Sequence, residues 1–378
     1  MTEYKFSELF SWSSGKPIEI TNGTIPVYGS NGIIGYTDRA KYCNRIILGR
    51  VGAYCGSVEY CDGEFNATDN TLITTCDTSK IIYQYAYYLL KLMGLNKYAG
   101  GSAQPLITQG LLKHLKCNIP GIKEQNKISE LLSQYDLAIE NNNKRIKILE
   151  QMAENLYKEW FVRFRFPGHE KTEFEGGIPK GWEMIKIKDI TSLRSGYAFK
   201  SEWFTDEGYC VAKIKDIGSI IMDTGDFSFV SEENCIKAKK YILTEGDLTI
   251  ALTGATIGKI SIVPQYDNKI YTNQRLGKFF NGNNPIEKLP YLYCFFSQKE
   301  ITQTILNISN SSSAQPNISP EQIEDIKFLG NIKIIDKFNV QTKCIFELIL
   351  RLYYKNTNLI KQRDLLLPRL MSGKLQVK

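Results

Sequence analysis

"EQNKISELLSQYDLAIENNNKRIKILEQMAENLYKEWF", Glu124 to Phe161, contains neither glycine nor proline. Within it Ile128, Leu132, Tyr135, Ile139, Asn142, Ile146, Leu149, Ala153, Leu156 and Trp160 recur at alternating steps of four and three. A seam of this kind, kept up over more than four heptads, specifies a coiled-coil helix rather than an isolated surface helix. Pro120-Gly121 breaks the chain before it and Pro167-Gly168 stops it afterwards.

The C-terminal part of the chain carries a second seam: Phe338, Ile345, Ile349, Leu352, Leu359, Leu366 and Leu370. Pro368 predicts a kink or an end to that helix. Both seams hold polar positions, Asn142 in the first and Thr342, Asn356 and Arg363 in the second. A buried asparagine in a seam costs stability and fixes register and partner. Two readings follow: the helices pair with each other in one alignment, or they expose part of the seam to another protein.

Ahead of each long helix the sequence reads as short strands and hairpins, as in "RIILGRVGAYCGSVEY" and "GDLTIALTGATIGKISIV". Shorter helices are expected at Tyr83 to Leu92 and Leu289 to Phe296. The two β-rich stretches share landmarks in the same order. "KFSELFSWSSG" (Lys5 to Gly15) matches "KIKDITSLRSG" (Lys186 to Gly196), and G-x-x-x-G recurs at Gly52/Gly56 and Gly254/Gly258. "ATDNTL" (Ala67 to Leu72) matches "YTNQRL" (Tyr271 to Leu276), and "SAQPLIT" (Ser102 to Thr108) matches "SAQPNIS" (Ser313 to Ser319). Four landmarks at similar offsets indicate an internal duplication of whole domains, because the period is far too long for a solenoid.

The 378 residues suffice for two or three domains, and 43% hydrophobic with 23% charged residues is ordinary for a globular chain. Nine cysteines without C-x-x-C spacing and no signal peptide at the N-terminus predict a reduced cytoplasmic protein. No apolar run approaches a membrane span. Zinc is not expected, since His114 and His169 are the only histidines and Cys55 and Cys61 lack a second pair. Of the net charge of +7, Arg351 to Lys378 supply most, with seven basic residues against Asp364 alone. Such a tail suits phosphate or an acidic partner surface, or reflects the preference of cations for helix C-termini. Arg363, Arg369 and Lys374 fit either reading.

In this order and doubling, the motifs resemble the specificity (S, or HsdS-type) subunit of type I restriction–modification systems. The resemblance rests on "IPVYGSNGIIGYT" (Ile25 to Thr37), both G-x-x-x-G turns, both SAQP loops, the helix quoted first, "GIPKGWE" (Gly177 to Glu183) and "LLLPRLMSGKL" (Leu365 to Leu375), and spans essentially the whole chain. It implies an α+β fold with two β-rich target-recognition domains in internal pseudo-repeat, joined by two long helices that form an antiparallel coiled coil. The expected bounds are 1–120 for the first recognition domain and 121–166 for the first spacer helix. They are 167–331 for the second domain and 332–378 for the second spacer helix and basic tail. It further implies that each domain reads one half of a split site in double-stranded DNA. Two methyltransferase (modification) subunits dock near the helix ends, and a restriction (translocase–nuclease) subunit is an optional further partner. S-adenosylmethionine then belongs to the methyltransferase subunits, with no cofactor in this chain.

Base edges are read by Arg or Lys at guanine and Asn or Gln at adenine, whereas phosphate contacts only position a domain. On that chemistry the DNA-facing candidates in the first domain are Tyr28, Ser30, Asn31, Arg50, Tyr54, Lys97, Ser102 and Gln104. In the second they are Lys213, Lys215, Asp216, Thr253, Thr256, Lys259, Asn273, Gln274, Arg275, Ser313 and Gln315. Each has a structural rival. "YGSNG" is also simply a turn, and Gln104 and Gln315 precede prolines that fix an extended connector. "GATIGK" (Gly254 to Lys259) is one residue short of a phosphate loop, with Ile260 in place of the hydroxyl. Methyltransferase motifs and a nuclease cluster are missing from the sequence, so the chain is expected to be non-catalytic. The competing class is a coiled-coil scaffold without a DNA role, to which the near-neutral charge of the β-rich domains lends weight.

Overall fold

The computed structural model describes residues 1–101, 104–309 and 316–377. The chain divides into two compact units, Met1–Ile139 with Asn358–Lys378, and Glu140–Thr357. Each long helix, Ile122–Tyr157 and Ile332–Met371, contributes to both.

In the first unit a six-stranded sheet runs in the order Phe10–Ser14, Thr71–Cys76, Tyr42–Gly49, Val58–Ala67, Ile25–Gly29, Gly32–Thr37. Strand Thr2–Lys5 pairs antiparallel with Lys116–Ile119, Thr2 opposite Ile119, so the domain closes on itself just before the long helix begins. Helix Tyr83–Met93 follows the 3.6-residue period and buries Tyr85, Ala86, Leu89 and Leu90. They join Phe6, Leu9, Ile46 and Leu48 in one core. Ile128 and Leu132 of the first long helix and Leu367, Leu370 and Met371 of the second complete it.

The second unit repeats the plan. Glu183–Lys186 pairs antiparallel with Lys327–Gly330, directly ahead of the second long helix. A four-stranded sheet in the order Ser192–Ser195, Leu276–Phe280, Leu248–Ala251, Ile260–Ile262 reproduces the order of the first four strands in the other unit. The units part company at Ile25–Thr37, a two-stranded extension. The second unit instead has a separate five-stranded sheet: Phe204–Thr205, Ser228–Val230, Tyr209–Ala212, Ile270–Thr272 and Ile242–Leu243. Even there one join is shared. Val27 and Tyr28 run parallel to Asn66 and Ala67, and Cys210–Ala212 run parallel to Ile270–Thr272. Both shorter helices form, at Tyr83–Met93 and Leu289–Phe296.

Within each unit the long helices pair with each other, and they do so antiparallel. In the second unit Asn142 Nδ2 donates to Asn356 Oδ1 at 2.8 Å, and Asn356 Nδ2 donates to Asn143 Oδ1 at 2.8 Å. Fifteen and eighteen residues beyond Asn142, Tyr157 and Trp160 meet Phe338, with ring centroids 6.3 and 5.4 Å apart. In the first unit Arg363 Nη1 donates to Asp136 Oδ1 at 2.5 Å, and Tyr88 Oη donates to Asp136 Oδ2 at 2.6 Å. Arg363 is thus committed to Asp136 and Asp364 rather than held out for phosphate.

One seam expectation needs correction, and one of the two outcomes expected at Pro368, an end to the helix, is excluded. Leu156 is exposed, and the buried position is Tyr157, packed on Tyr291 and Phe338. An α-helix has slightly more residues per turn than a strict heptad seam, so the buried stripe drifts, and here the buried position falls one residue later. The α-helix then ends at Tyr157 and widens into a π-helical turn over Lys158–Val162 that still buries Trp160. Pro368 does not end the second helix, which continues to Met371. It removes one hydrogen bond in the last turn, while burial of Leu367, Leu370 and Met371 holds that turn in place.

Candidate nucleic-acid interface

The G-x-x-x-G turn of the first unit closes the hairpin between Tyr42–Gly49 and Val58–Ala67. Gly56 N–H donates to Gly49 O at 2.8 Å, and Gly49 N–H to Ser57 O at 3.0 Å. Gly56 has φ +90°, and a β-carbon there would lie 2.3 Å from Asn96 N, so only glycine fits. The chain after the SAQP motif is latched to this turn: Gly52 N–H donates to Pro105 O (3.1 Å) and Ile107 N–H to Arg50 O (2.9 Å). Asn70 O accepts from Arg50 N (3.0 Å) and Ser30 Oγ (2.7 Å), while Ser57 Oγ donates to Ser30 O (2.8 Å). Four loops from distant parts of the sequence therefore meet at one edge.

The second unit uses the same bonds. Gly258 N–H donates to Ala251 O (2.9 Å), Gly254 N–H to Pro316 O (3.1 Å), Ile318 N–H to Leu252 O (3.0 Å) and Leu252 N–H to Arg275 O (2.9 Å). Thr68 N–H on Tyr28 O has its counterpart in Asn273 N–H on Ala212 O. Lys16 N–H on Ala67 O corresponds to Tyr197 N–H on Thr272 O. These bonds correct the register of one landmark. Thr68 corresponds to Asn273 and Asn70 to Arg275, one residue away from the alignment of "ATDNTL" with "YTNQRL". Asp69 and Asn70, both exposed, are therefore the first unit's counterparts of Gln274 and Arg275. The candidates chosen from the sequence omit them; the repeat contained the signal, but the shifted alignment concealed it.

On this common frame the displayed side chains differ. Arg50 corresponds to buried Leu252, Tyr54 to Thr256, Ser57 to Lys259, Asp69 to Gln274 and Asn70 to Arg275. Asn31, Tyr54, Lys97 and Gln104 are exposed in the first unit, as are Lys259, Gln274 and Arg275 in the second. Lys97 lies along the Tyr98 ring, 5.1 Å from its centroid. Arg50 is half-buried, with Nη1 3.5 Å from Ser14 Oγ and a buried Nε that has no hydrogen-bond partner. The hydroxyls of Thr253 and Thr256 are likewise buried without a partner. Asn273 Oδ1 accepts from Arg275 N at 3.1 Å, which shapes the turn and leaves the guanidinium free to reach outwards.

Other candidates serve the scaffold. Tyr28 is buried against Phe65, and burial together with a hydrogen bond to Cys61 holds its hydroxyl well above the ordinary tyrosine range. Its position beside a turn suggested exposure, but the parallel pairing with Ala67 turns it inward. Asp216 is buried and accepts from Lys213 N at 2.7 Å. Burial pushes its carboxyl up to about 6, although the Lys213 N–H bond pulls the other way. Lys215 is exposed but paired with Asp226 at 2.6 Å. Lys213 sits over the Phe204 ring at 3.7 Å, and burial, then the charge of Lys215, lowers its affinity for its proton. Ser102, Ser313 and Gln315 lie outside the described residues. Among the described residues no cluster of His, Cys, Asp and Glu could hold a metal ion, and no helix is long and apolar enough to cross a membrane.

Residues 3–151 and 179–329 each match the family described as "Type I restriction modification DNA specificity domain". The chain belongs to that family. This DNA specificity subunit is 27% identical over 349 residues to the MjaVIII specificity subunit of Methanocaldococcus jannaschii, covering 89% of this chain and 80% of the relative. It is 28% identical to the MjaIX specificity subunit of the same organism, over 79% of this chain and 70% of the relative. The crystal structure of the type I restriction–modification S subunit from M. genitalium superposes with a TM-score of 0.59 at 21% identity. That match covers 98% of this chain and 95% of the other, so the specificity subunit shares the fold across essentially its whole length.

Proposed function

We propose that the two units of this specificity subunit each read one half of a bipartite site in double-stranded DNA. Two methyltransferase subunits, and where present a restriction subunit, are brought to that site. The readers occupy about residues 1–120 and 167–331, and the helices at 121–166 and 332–378 act as the spacer. The observation that carries this reading is one backbone latch, repeated bond for bond, that presents a different set of side chains in each unit. A scaffold protein has no need for two copies of a frame with divergent display. Direct reading falls to Asn31, Arg50, Tyr54, Asp69, Asn70 and Gln104 on one side, and to Lys259, Asn273, Gln274 and Arg275 on the other. Lys97 supports the edge of the first unit, and Lys213, Thr253 and Thr256 support that of the second. Arginine suits guanine O6 and N7, asparagine and glutamine suit adenine N6 and N7, and the exposed carboxylate of Asp69 suits cytosine N4.

The chain acts in the cytoplasm and supplies no chemistry of its own. S-adenosylmethionine is bound by the methyltransferase subunits. The test replaces Met1 to Cys117 with the equivalent segment of a relative, reconstitutes the complex and sequences the methylated DNA. One half of the motif changes and the other is kept. Change in both halves, or in neither, overturns the reading. The isolated chain supplied with S-adenosylmethionine transfers no methyl group to DNA.

A further inference from the structure

We infer that Arg194, stacked on Phe280, and Lys240 form a clamp for one backbone phosphate of the DNA read by the second unit. The inference rests on the reading above and adds residues absent from the DNA-facing candidates chosen from the sequence.

Arg194 and Lys278 stand directly opposite each other in the antiparallel pair Ser192–Ser195 and Leu276–Phe280. Like charges at such a pair destabilise a sheet. The corresponding pair in the first unit is Ser13 opposite Ile73, so the shared fold does not require the cations. Lys278 has its own counter-charge: Nζ lies 2.6 Å from Asp247 Oδ2, with Asp247 fully buried, and donates to Ile242 O at 3.1 Å. Arg194 has none. Its guanidinium lies over the Phe280 ring, 4.4 Å from the centroid, and among the described residues no carboxylate pairs with it or with Lys240. Both side chains are exposed and line one cleft with Lys278, Gly196 and Thr272.

The position of the cleft gives it a role. A β-carbon on Gly196, two residues from Arg194, would lie 2.4 Å from Asn273 O, so the cleft backs onto the turn that displays Gln274 and Arg275. On its other wall Tyr241 O, next to Lys240, accepts from Thr272 Oγ1 at 3.1 Å. A DNA strand whose bases meet that turn carries its phosphates past this wall. Guanidinium and ammonium groups are donors without acceptors, which matches phosphate oxygens and not base edges alone. Stacking on Phe280 pre-orders the guanidinium, so less freedom is lost on contact.

The test uses the reconstituted complex and its own DNA site. In Arg194→Gln/Lys240→Gln the slope of log affinity against log salt falls by about 1, as for loss of one phosphate contact. Affinity drops several-fold on every sequence, the methylated motif is unchanged, and Arg194→Lys retains the wild-type slope. With the wild-type complex, a neutral methylphosphonate placed at successive backbone positions weakens binding at one position in the second half-site, where the double variant is indifferent. An unchanged slope, or sensitivity confined to the first half-site, overturns the clamp while leaving bipartite reading intact. A wild-type complex that shows no bipartite preference at all overturns the underlying reading instead.

Discussion

Asp216 shows how a polar residue in a binding loop can be spent on the fold. Its carboxyl is buried, caps Lys213 N, and titrates at about 6, above the value of about 3.9 expected unfolded. The folded state therefore holds this proton more tightly than the unfolded chain. The resulting penalty is absent below pH ~4, grows as pH rises to about 6, and then levels off. Asp216→Asn keeps an acceptor for Lys213 and removes the charge. The variant is expected to be more stable than wild type by about 1–3 kcal/mol at pH 8 and equal to it at pH ~4, as read from urea denaturation at both values. Gly196 is constrained differently, since a β-carbon would sit 2.2 Å from Thr272 O. Gly196→Ala is expected to cost about 1–3 kcal/mol or more and to blur the second half-site only, which denaturation and the methylated motif report separately. Sequence reading separates these residues poorly. Tyr28, Asp216 and Arg275 are all polar groups within two residues of a glycine. What sends two of them inward is a parallel strand join and a backbone cap, contacts made between segments far apart in the chain.

Elements were far more legible, because their periods are local. The seam over Ile128 to Trp160 marks the helix, and the Pro-Gly pairs mark its surroundings; only the last turns differ, where packing on Tyr291 and Phe338 moves burial from Leu156 to Tyr157. The asparagines in the two seams could have faced a partner protein, and no sequence pattern decides that. In the structure they face each other: Asn142 and Asn356 are both buried and bonded side chain to side chain. Asn356→Leu alone strands the Asn142 amide and is expected to cost about 1–3 kcal/mol. Asn142→Leu/Asn356→Leu replaces both partners with apolar groups and is expected to recover most of that loss, or exceed wild-type stability, at the expense of fixed register. Urea denaturation of the two variants decides it: a double variant no more stable than the single one shows that the pair does not act as a unit.

At the scale of the whole molecule, the duplication was visible because its glycines and prolines are held by the latch that recurs in both units, whereas strand register had to be seen. The long helices carry the remaining consequence. Each is shared between the units, changing membership between Ile139 and Glu140 in one and Thr357 and Asn358 in the other. The Asn142–Asn356 layer lies on one side of that boundary and the Asp136–Arg363 layer on the other. Four residues inserted after Ile139 and four after Thr357 leave both layers paired and lengthen each helix by about 6 Å, at 1.5 Å per residue. That is close to two base pairs at roughly 3.4 Å each, with a rotation of about 40° from the 3.6-residue turn. The complex reconstituted with this variant is expected to methylate a motif with the same two half-sites and a longer unread spacer. Insertion into one helix alone puts the Asn142–Asn356 and Asp136–Arg363 layers out of step with each other and is expected to lower stability rather than extend the motif. Sequencing of methylated DNA reads the first outcome and denaturation the second. An unchanged spacer at full activity in the doubly extended variant would assign the distance to the methyltransferase subunits rather than to these helices.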